Sequence, residues 1–115
     1  MKQPIVYIAG PMRGLPDFNY PAFANAAARF RALNLAVINP AENFGGRQDL
    51  EWETYMRADI GHVLTSDGIV MLEGWEGSEG ATLEHSIATA IGLEVWYDLP
   101  GGERRFADIM QGGRS

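Results

Sequence analysis

Two acidic residues, Asp59 and Glu84, are the best candidates for chemistry in this 115-residue sequence. The chain contains no cysteine, which excludes a thiolate nucleophile, a disulfide framework and a cysteine-ligated zinc site. Its two histidines, His62 and His85, lack the spacing of a metal-binding motif, so we expect neither a metal nor another cofactor. Paired carboxylates are what cleavage of a glycosidic bond needs: one acts as nucleophile or base, and one steadies the sugar and its developing charge. Each acid alone could equally lie on a solvated helix face.

Two glycine-rich loops could supply the rest of a site. The first contains Gly10, Met12, Arg13 and Gly14. Glycine lets backbone N–H groups approach an anion, and arginine can pair with a phosphate through two hydrogen bonds. This loop matches neither the Walker A nor the dinucleotide-binding pattern, so a turn with an exposed arginine is the alternative. The second loop, rich in acids, carries Trp75, whose ring could stack on a base or fold onto the surface.

The elements that must position these residues alternate regularly along the chain. Short apolar runs typical of buried parallel strands are separated by segments with the apolar spacing of helices. The first run contains Tyr7, a candidate either for core packing or for contact with the site. The predicted strands cover 4–9, 36–39, 68–72 and 94–97, and the predicted helices cover 20–33, 50–64 and 81–91.

This β-α-β-α-β-α-β order predicts an α/β fold, a flavodoxin- or Rossmann-like three-layer sandwich. We expect a parallel sheet of four to five strands in the order 2-1-3-4, with helices on both faces. Ligands bind such sheets at the carboxyl ends of the strands, where the strand order reverses. The loops after the first and third strands are therefore the predicted walls of the site.

Residue types also predict two local features. Asn19 should N-cap the first helix, because asparagine favours that position. Glu84 lies one turn into the third helix, beside the apolar residues Leu83, Ile87 and Ile91. Its carboxylate can therefore face the cleft, where partial burial would raise its pKa above the ordinary value for glutamate.

Length and charge bound the class of protein. We expect one domain over 1–100, followed by a tail over 101–115 that is a short helix or disordered. Fifteen acidic against nine basic residues give a net charge of −6, which argues against nucleic-acid polymers and anionic membranes as partners. No apolar run reaches the roughly 18 residues needed to cross a bilayer, and the N-terminus does not resemble a signal peptide. These observations predict a cytoplasmic protein with a small-molecule ligand.

Four segments together resemble the nucleoside 2-deoxyribosyltransferase superfamily. They are YIAGPMRG at 7–14, MRAD at 56–59, DGIVML at 67–72 and GSEGATLE at 77–84. The resemblance extends over about residues 5–97, and it is specific in the order and spacing of the segments rather than in any one of them. Within the superfamily, the chain resembles a short, uncharacterised subgroup found in phages and prophages.

The resemblance implies a mechanism and a set of catalytic residues. By its place in the motif, Glu84 would be the nucleophile that attacks the anomeric carbon of a (deoxy)ribosyl unit. Asp59 would orient the sugar and help to protonate the leaving base. Tyr7 would hydrogen-bond near Glu84 and hold it in position. The covalent glycosyl-enzyme would then pass the sugar to another base or to water.

Ser78 bears on the choice of substrate. Relatives that act on free nucleosides tend to carry an aspartate six residues before the nucleophile, whereas nucleoside 5′-monophosphate N-hydrolases carry a serine, which can donate to a phosphate. Pro11, which stands where the hydrolases usually have a serine, and the acids Glu76 and Glu79 argue against a phosphate. On balance the resemblance implies a nucleotide bound by Ser78, Gly80 and the first loop, that is Gly10, Met12, Arg13 and Gly14.

Several alternatives stay open at this stage. The chain could be a transferase that exchanges bases on free deoxynucleosides, a non-catalytic nucleotide-binding module on the same scaffold, or a small interaction protein that uses the fold only for its shape. Because the relatives are dimers or larger, we expect a homodimer or homotetramer. The base would contact loop residues such as Met12, Phe18, Phe44 and Trp75.

Overall fold

The computed structural model describes residues 3–98 and 102–112. Four strands and four α-helices form the fold, and three short 3-10 turns connect some of them. In chain order the strands and helices are β1 (Ile5–Ala9), α1 (Tyr20–Arg31), β2 (Ala36–Ile38), α2 (Trp52–Thr65), β3 (Gly68–Met71), α3 (Glu79–Ala90), β4 (Glu94–Tyr97) and α4 (Glu103–Met110). The 3-10 turns are Pro16–Asn19, Pro40–Gly46 and Trp75–Gly77.

The four strands make one parallel sheet in the order β2-β1-β3-β4, which confirms the predicted topology. Tyr7 lies in the middle of the sheet, where it pairs with Ile38 of β2 on one side and with Ile69 of β3 on the other. The chain passes from β1 to β2 on one side of β1, and then crosses over to β3 on the other side of β1. The carboxyl ends of β1 and β3 therefore flank the point where the strand order reverses, which is where α/β folds bind ligands.

Alternation along β1 divides the core into two layers. Val6 and Ile8 face α1 and α4, where Phe30 and Phe106 are also buried. Tyr7 and Ala9 face the opposite layer, which is formed by α2 and α3. Successive side chains of a strand point to opposite faces, so a run that is apolar throughout needs helices on both sides. The predicted three-layer sandwich is confirmed.

The start of α1 differs from its sequence-based prediction. Asn19 adopts a left-handed backbone conformation, with φ of 59°, and its side chain makes no capping hydrogen bond. An N-cap side chain acts from an extended backbone, so this conformation removes the geometry that capping requires. The Asn19 amide instead donates to the carbonyl of Pro11 at 2.9 Å. It therefore ties the first loop to the start of α1.

The large apolar residues of α3 are at most partly buried. Leu83 is 39% exposed and Ile91, just beyond the helix, is 47% exposed. The buried face is made of Ala81, Glu84 and Ala88. Small residues let the helix approach the sheet closely, and this close approach places the Glu84 carboxylate against β1. The carboxylate is inside the protein because the alanines beside it are small.

The C-terminal segment contributes to the core. Within the predicted tail, residues 103–110 form α4, and residues 101 and 113–115 lie outside the described residues. Phe106 is buried and meets Phe30 of α1 edge to face, with ring centroids 5.9 Å apart. Among the described residues, no helix is both long and apolar enough to cross a membrane.

Candidate active site

A cavity of about 340 Å³ lies at the carboxyl ends of the central strands. Its walls come from the loop after β1, the start of α2 and the segment that leads into α3. Two residues of α1 and three residues of the chain between β2 and α2 complete them. Tyr7, Asp59 and Glu84 all line it, as do Gly10, Met12, Arg13, Ser78 and Gly80. The volume is in the range of pockets that hold small molecules. The structure thus brings most of the predicted site residues to one place.

Tyr7 and Glu84 form the floor of the cavity. The Tyr7 hydroxyl donates to Oε2 of Glu84 at 2.7 Å, and both side chains are buried. Burial raises the pKa of Glu84 to about 8, because a buried carboxylate loses its hydration. The Tyr7 hydrogen bond opposes this rise, and the nearby charge of Asp59 adds to it. Glu84 is therefore a carboxyl group that holds its proton at neutral pH while the cavity is empty.

Asp59 projects from α2 into the same cavity. Burial raises the pKa of Asp59 to about 6, and hydrogen bonds from Asn43 and Tyr7 act in the opposite direction. The Asn43 amide donates to Oδ1 of Asp59 at 2.8 Å. Burial and both carboxylates raise the pKa of Tyr7 well above its usual value, so the phenol stays protonated. Near neutral pH the pair of carboxylates thus carries one negative charge and one proton.

The first loop meets the cavity through three of its four predicted residues. Gly10, Met12 and Arg13 line the cavity, and Gly14 does not. The guanidinium of Arg13 lies over the ring of Trp52, 5.9 Å from its centroid. Gly10 is needed for packing, because a Cβ there would lie 2.8 Å from Cβ of Leu72. Its lack of a side chain lets the loop turn closely over the end of β3.

The segment before α3 brings Ser78 and Gly80 to the cavity wall. Ser78 is the N-cap of α3, and its Oγ accepts from the backbone N–H of Ala81 at 3.1 Å. A Cβ on Gly80 would lie 3.2 Å from the sulfur of Met56, so glycine allows close contact between α3 and α2. Glu79 also lines the cavity, whereas Glu76 does not.

Trp75 and Phe44 are not brought to the cavity. Trp75 stacks on His85 with ring centroids 4.4 Å apart, and the imidazole of His85 hydrogen-bonds to the hydroxyl of Tyr97 at 2.8 Å. This aromatic group forms on the side of α3 away from the cavity lining. Phe44 packs edge to face on Tyr55 at 5.8 Å. Each ring packs against a ring of the helix that follows it in the chain, a contact that residue spacing alone did not predict.

Sequence reasoning missed three residues of the site: Asn43, and Trp52 and Tyr55 of α2. Trp52, Tyr55 and Asp59 line the cavity from successive turns of one helix face. Their spacing of three and four residues was a usable signal, since such residues lie on the same side of a helix. Asn43 gave no such signal, because it lies in an irregular segment that the sequence marked only as a loop.

Comparisons with known proteins agree with this fold. Among solved structures, the chain is similar to a 2-desoxiribosyltransferase from Leishmania mexicana, with a TM-score of 0.63 and 21% sequence identity. The match covers 80% of this chain and 61% of that one, so this chain spans less than two thirds of that enzyme. At this identity the likeness shows a shared fold. No curated protein matches the sequence significantly.

The family comparison covers the whole candidate site. The family model described as "Domain of unknown function (DUF4406)" matches residues 4–97. This range includes β1 to β4 and every residue of the carboxylate pair and its hydrogen-bond partners. Since the match extends over most of its length, the chain belongs to the DUF4406 family.

Proposed function

We propose that the protein cleaves the N-glycosidic bond of a (deoxy)nucleoside 5′-monophosphate and releases the free base, with Glu84 as nucleophile. The observation that carries this proposal is the convergence of Glu84 and Asp59 on one cavity, with the Tyr7 hydroxyl 2.7 Å from Oε2 of Glu84. The fold shared with a protein named as a 2-desoxiribosyltransferase supports glycosyl chemistry of this class.

The reaction would proceed in two steps. A carboxylate oxygen of Glu84 attacks the anomeric carbon, the bond from that carbon to the base nitrogen breaks, and the base leaves with a proton from Asp59. Water then attacks the anomeric carbon, Glu84 departs as a carboxylate, and Asp59 takes the proton that water loses. The products are the free base and the sugar phosphate.

The carboxylate pair holds the single proton that this chemistry needs. Burial favours a proton on Glu84, so this proton must pass to Asp59 before Glu84 can attack. The hydroxyl of Tyr7 donates to Glu84 and also influences the pKa of Asp59. We assign Tyr7 the passage of this proton, together with stabilisation of the Glu84 anion through the hydrogen bond that it donates.

Arg13 and Ser78 support a phosphate on the substrate. Within the described residues no carboxylate forms a salt bridge with Arg13, so its charge is available to a ligand. The Ser78 hydroxyl accepts from the backbone while its own hydrogen can be donated to a phosphate oxygen. The backbone amides of Met12 and Arg13, which line the cavity, would supply further donors.

A transferase acting on free nucleosides is the second candidate. Glu79 favours it, because this acid lines the same cavity and would repel a phosphate placed near it. A free 5′-hydroxyl could donate to that carboxylate instead. In this version the covalent intermediate passes its sugar to a second base rather than to water.

Base release from purified protein tests these alternatives. The protein is incubated with deoxynucleosides, ribonucleosides and their 5′-monophosphates, and the free base is measured by chromatography. We expect release from a monophosphate, abolished by Glu84→Gln and unchanged by Glu53→Gln, since Glu53 is exposed on α2 outside the cavity lining. Release that survives Glu84→Gln would exclude the proposed nucleophile.

The pattern of substrates separates the remaining functions. Release from nucleosides but not from monophosphates would overturn the role given to Arg13 and Ser78. Conversion that needs a second base would identify the transferase. Binding of nucleotides without release of base from any of them would indicate a non-catalytic module.

A further inference from the structure

Asn43 belongs to the 3-10 turn Pro40–Gly46, which connects β2 to α2. The side chain of Asn39 fixes the start of this turn by accepting from the backbone N–H of Ala41 at 2.9 Å. Its end reverses sharply, because Phe44 and Gly45 adopt positive φ angles of 54° and 67°. Asn43 directly precedes this reversal, and its side chain reaches Asp59 of α2.

The amide of Asn43 holds one oxygen of Asp59. Its Nδ2 donates to Oδ1 of Asp59 at 2.8 Å, between residues 16 positions apart in the chain. This contact ties the turn to the Asp59 carboxylate of α2. An N–H donor interacts more strongly with an ionised carboxylate than with a neutral carboxyl group. The contact therefore favours the anionic form of Asp59.

The other groups that face Asp59 make this donor important. Tyr7 approaches it from β1, Tyr20 from α1 and Glu84 from α3, while Arg13 lines the same cavity from the first loop. Within the described part of the chain no cation forms a salt bridge with Asp59. The neutral amide of Asn43 therefore stabilises the Asp59 anion, a role that an arginine or lysine has beside many buried acids.

We propose that Asn43 is a positioning residue of the site: its amide orients the Asp59 carboxylate and holds it ionised, so that the proton shared by the pair rests on Glu84 until a substrate enters. The proposal rests on the proposed function insofar as it treats the two carboxylates as the reacting pair. The contact itself and its effect on ionisation do not depend on which substrate is used.

The pKa of Asp59 supports the proposal. Burial raises it to about 6, and the hydrogen bond from Asn43 lowers it. Without this donor the pKa of Asp59 would move towards that of Glu84, and the two acids would compete for the proton. Two or three backbone donors can lower the pKa of a carboxylate by about 2 units, so the loss of one donor should raise it by about 1 unit.

Asn43→Leu tests this inference, because leucine has a similar size and no donor. The side-chain carboxyl carbons are labelled with ¹³C, and the titration of Asp59 is followed by NMR in the variant and in the parent protein. We expect the midpoint to rise by about 1 unit in Asn43→Leu. Glu42→Gln is the matched control: it lies in the same turn and breaks only the exposed contact between Arg31 and Glu42.

The pH dependence of the reaction rate is a second measurement, and it should not change if Asn43 only supports the fold. In Asn43→Leu, the limb of the pH–rate profile governed by Asp59 should shift upwards together with the NMR midpoint. An unchanged Asp59 midpoint in Asn43→Leu, or the same shift in Glu42→Gln, would overturn the proposal. If Asn43→Leu does not fold, Asn43→Ala is titrated instead and judged by the same midpoint. If the protein releases no base from any nucleotide, the proposed function fails while the titration still decides the role of Asn43.

Discussion

Replacement of Glu84 by glutamine should change how the stability of the protein depends on pH. Folding raises the pKa of Glu84 from 4.5 to about 8, mainly through burial. Between these values the folded chain keeps a proton that the unfolded chain releases, so the free energy of unfolding falls as pH rises. The stabilisation is fully present below about pH 4.5 and is lost as pH rises through about 8. Glutamine is neutral throughout and can still accept from the Tyr7 hydroxyl.

The size of the effect follows from the two pKa values. One pKa unit corresponds to about 1.4 kcal/mol, so the ionisation of Glu84 in the folded protein costs at most about 5 kcal/mol relative to the unfolded chain. Total stabilities of single domains are only about 5 to 15 kcal/mol. Glu84 alone could therefore remove a large part of the stability of the parent protein at alkaline pH.

Urea denaturation at a series of pH values from 5 to about 9 measures this difference. The free energy of unfolding of Glu84→Gln minus that of the parent should increase with pH by several kcal/mol. With typical urea slopes this widens the gap between the two midpoints by about 2 M. Titrations of groups that do not interact with Glu84 cancel in the difference, and the exposed-site control Glu53→Gln should show a constant difference. Parallel stability curves for Glu84→Gln and the parent would refute the reasoning that burial governs this group.

Three other substitutions have expected outcomes. Tyr7→Phe should lower the free energy of unfolding by about 1 to 3 kcal/mol and slow base release, because Glu84 loses its buried donor; a variant as stable and as active as the parent would contradict the assignment. Arg13→Ala should lower kcat/KM for a nucleoside monophosphate by about 10- to 100-fold, which is the size expected for the loss of a charged hydrogen bond. The kcat/KM for the nucleoside should not change, and an equal loss with both substrates would exclude a contact between Arg13 and the phosphate. Gly10→Ala should lower the melting temperature, because its methyl group would lie 2.8 Å from Cβ of Leu72 and cost about 1 to 3 kcal/mol; an unchanged melting temperature would show that the loop can move aside.

The sheet was predictable because its determinants are local. β1 and β3 are short apolar runs ended by glycine or by acidic loop residues, and runs of this kind rarely occur outside a sheet that is covered on both faces. The helical spacing between them then leaves few topologies to choose from. The same local reasoning located Glu84 in the first turns of α3. It could not decide which face of α3 is buried, because alanines and a glutamate form the core face while Leu83 is exposed.

The partners of the site residues were harder to predict, since they depend on contacts between distant segments. The position of Trp75 after β3 allowed its ring either to stack on a base or to fold onto the surface. In the structure it stacks on His85 beside Tyr97, which lie on α3 and β4. Asn43 contacts Asp59, which lies 16 positions further along the chain, just before the turn reverses at Phe44 and Gly45, where the backbone φ is positive. Gly45 is compatible with such a conformation, but Phe44 gives no warning of it, and neither residue indicates which side chain Asn43 contacts.

Because the pKa of Glu84 is higher than that of Asp59, Arg13 has a second role in the proposed mechanism. The proposed chemistry needs Glu84 ionised, yet burial and the neighbouring Asp59 hold a proton on Glu84 while the cavity is empty. A phosphate dianion would add negative charge to a cavity that also contains Glu79, and this charge would raise the pKa of Glu84 further. A nucleotide substrate can therefore be productive only if Arg13 neutralises its phosphate, whereas a free nucleoside makes no such demand. Under the proposed mechanism, the two substrate classes therefore differ in the charge that the cavity must balance.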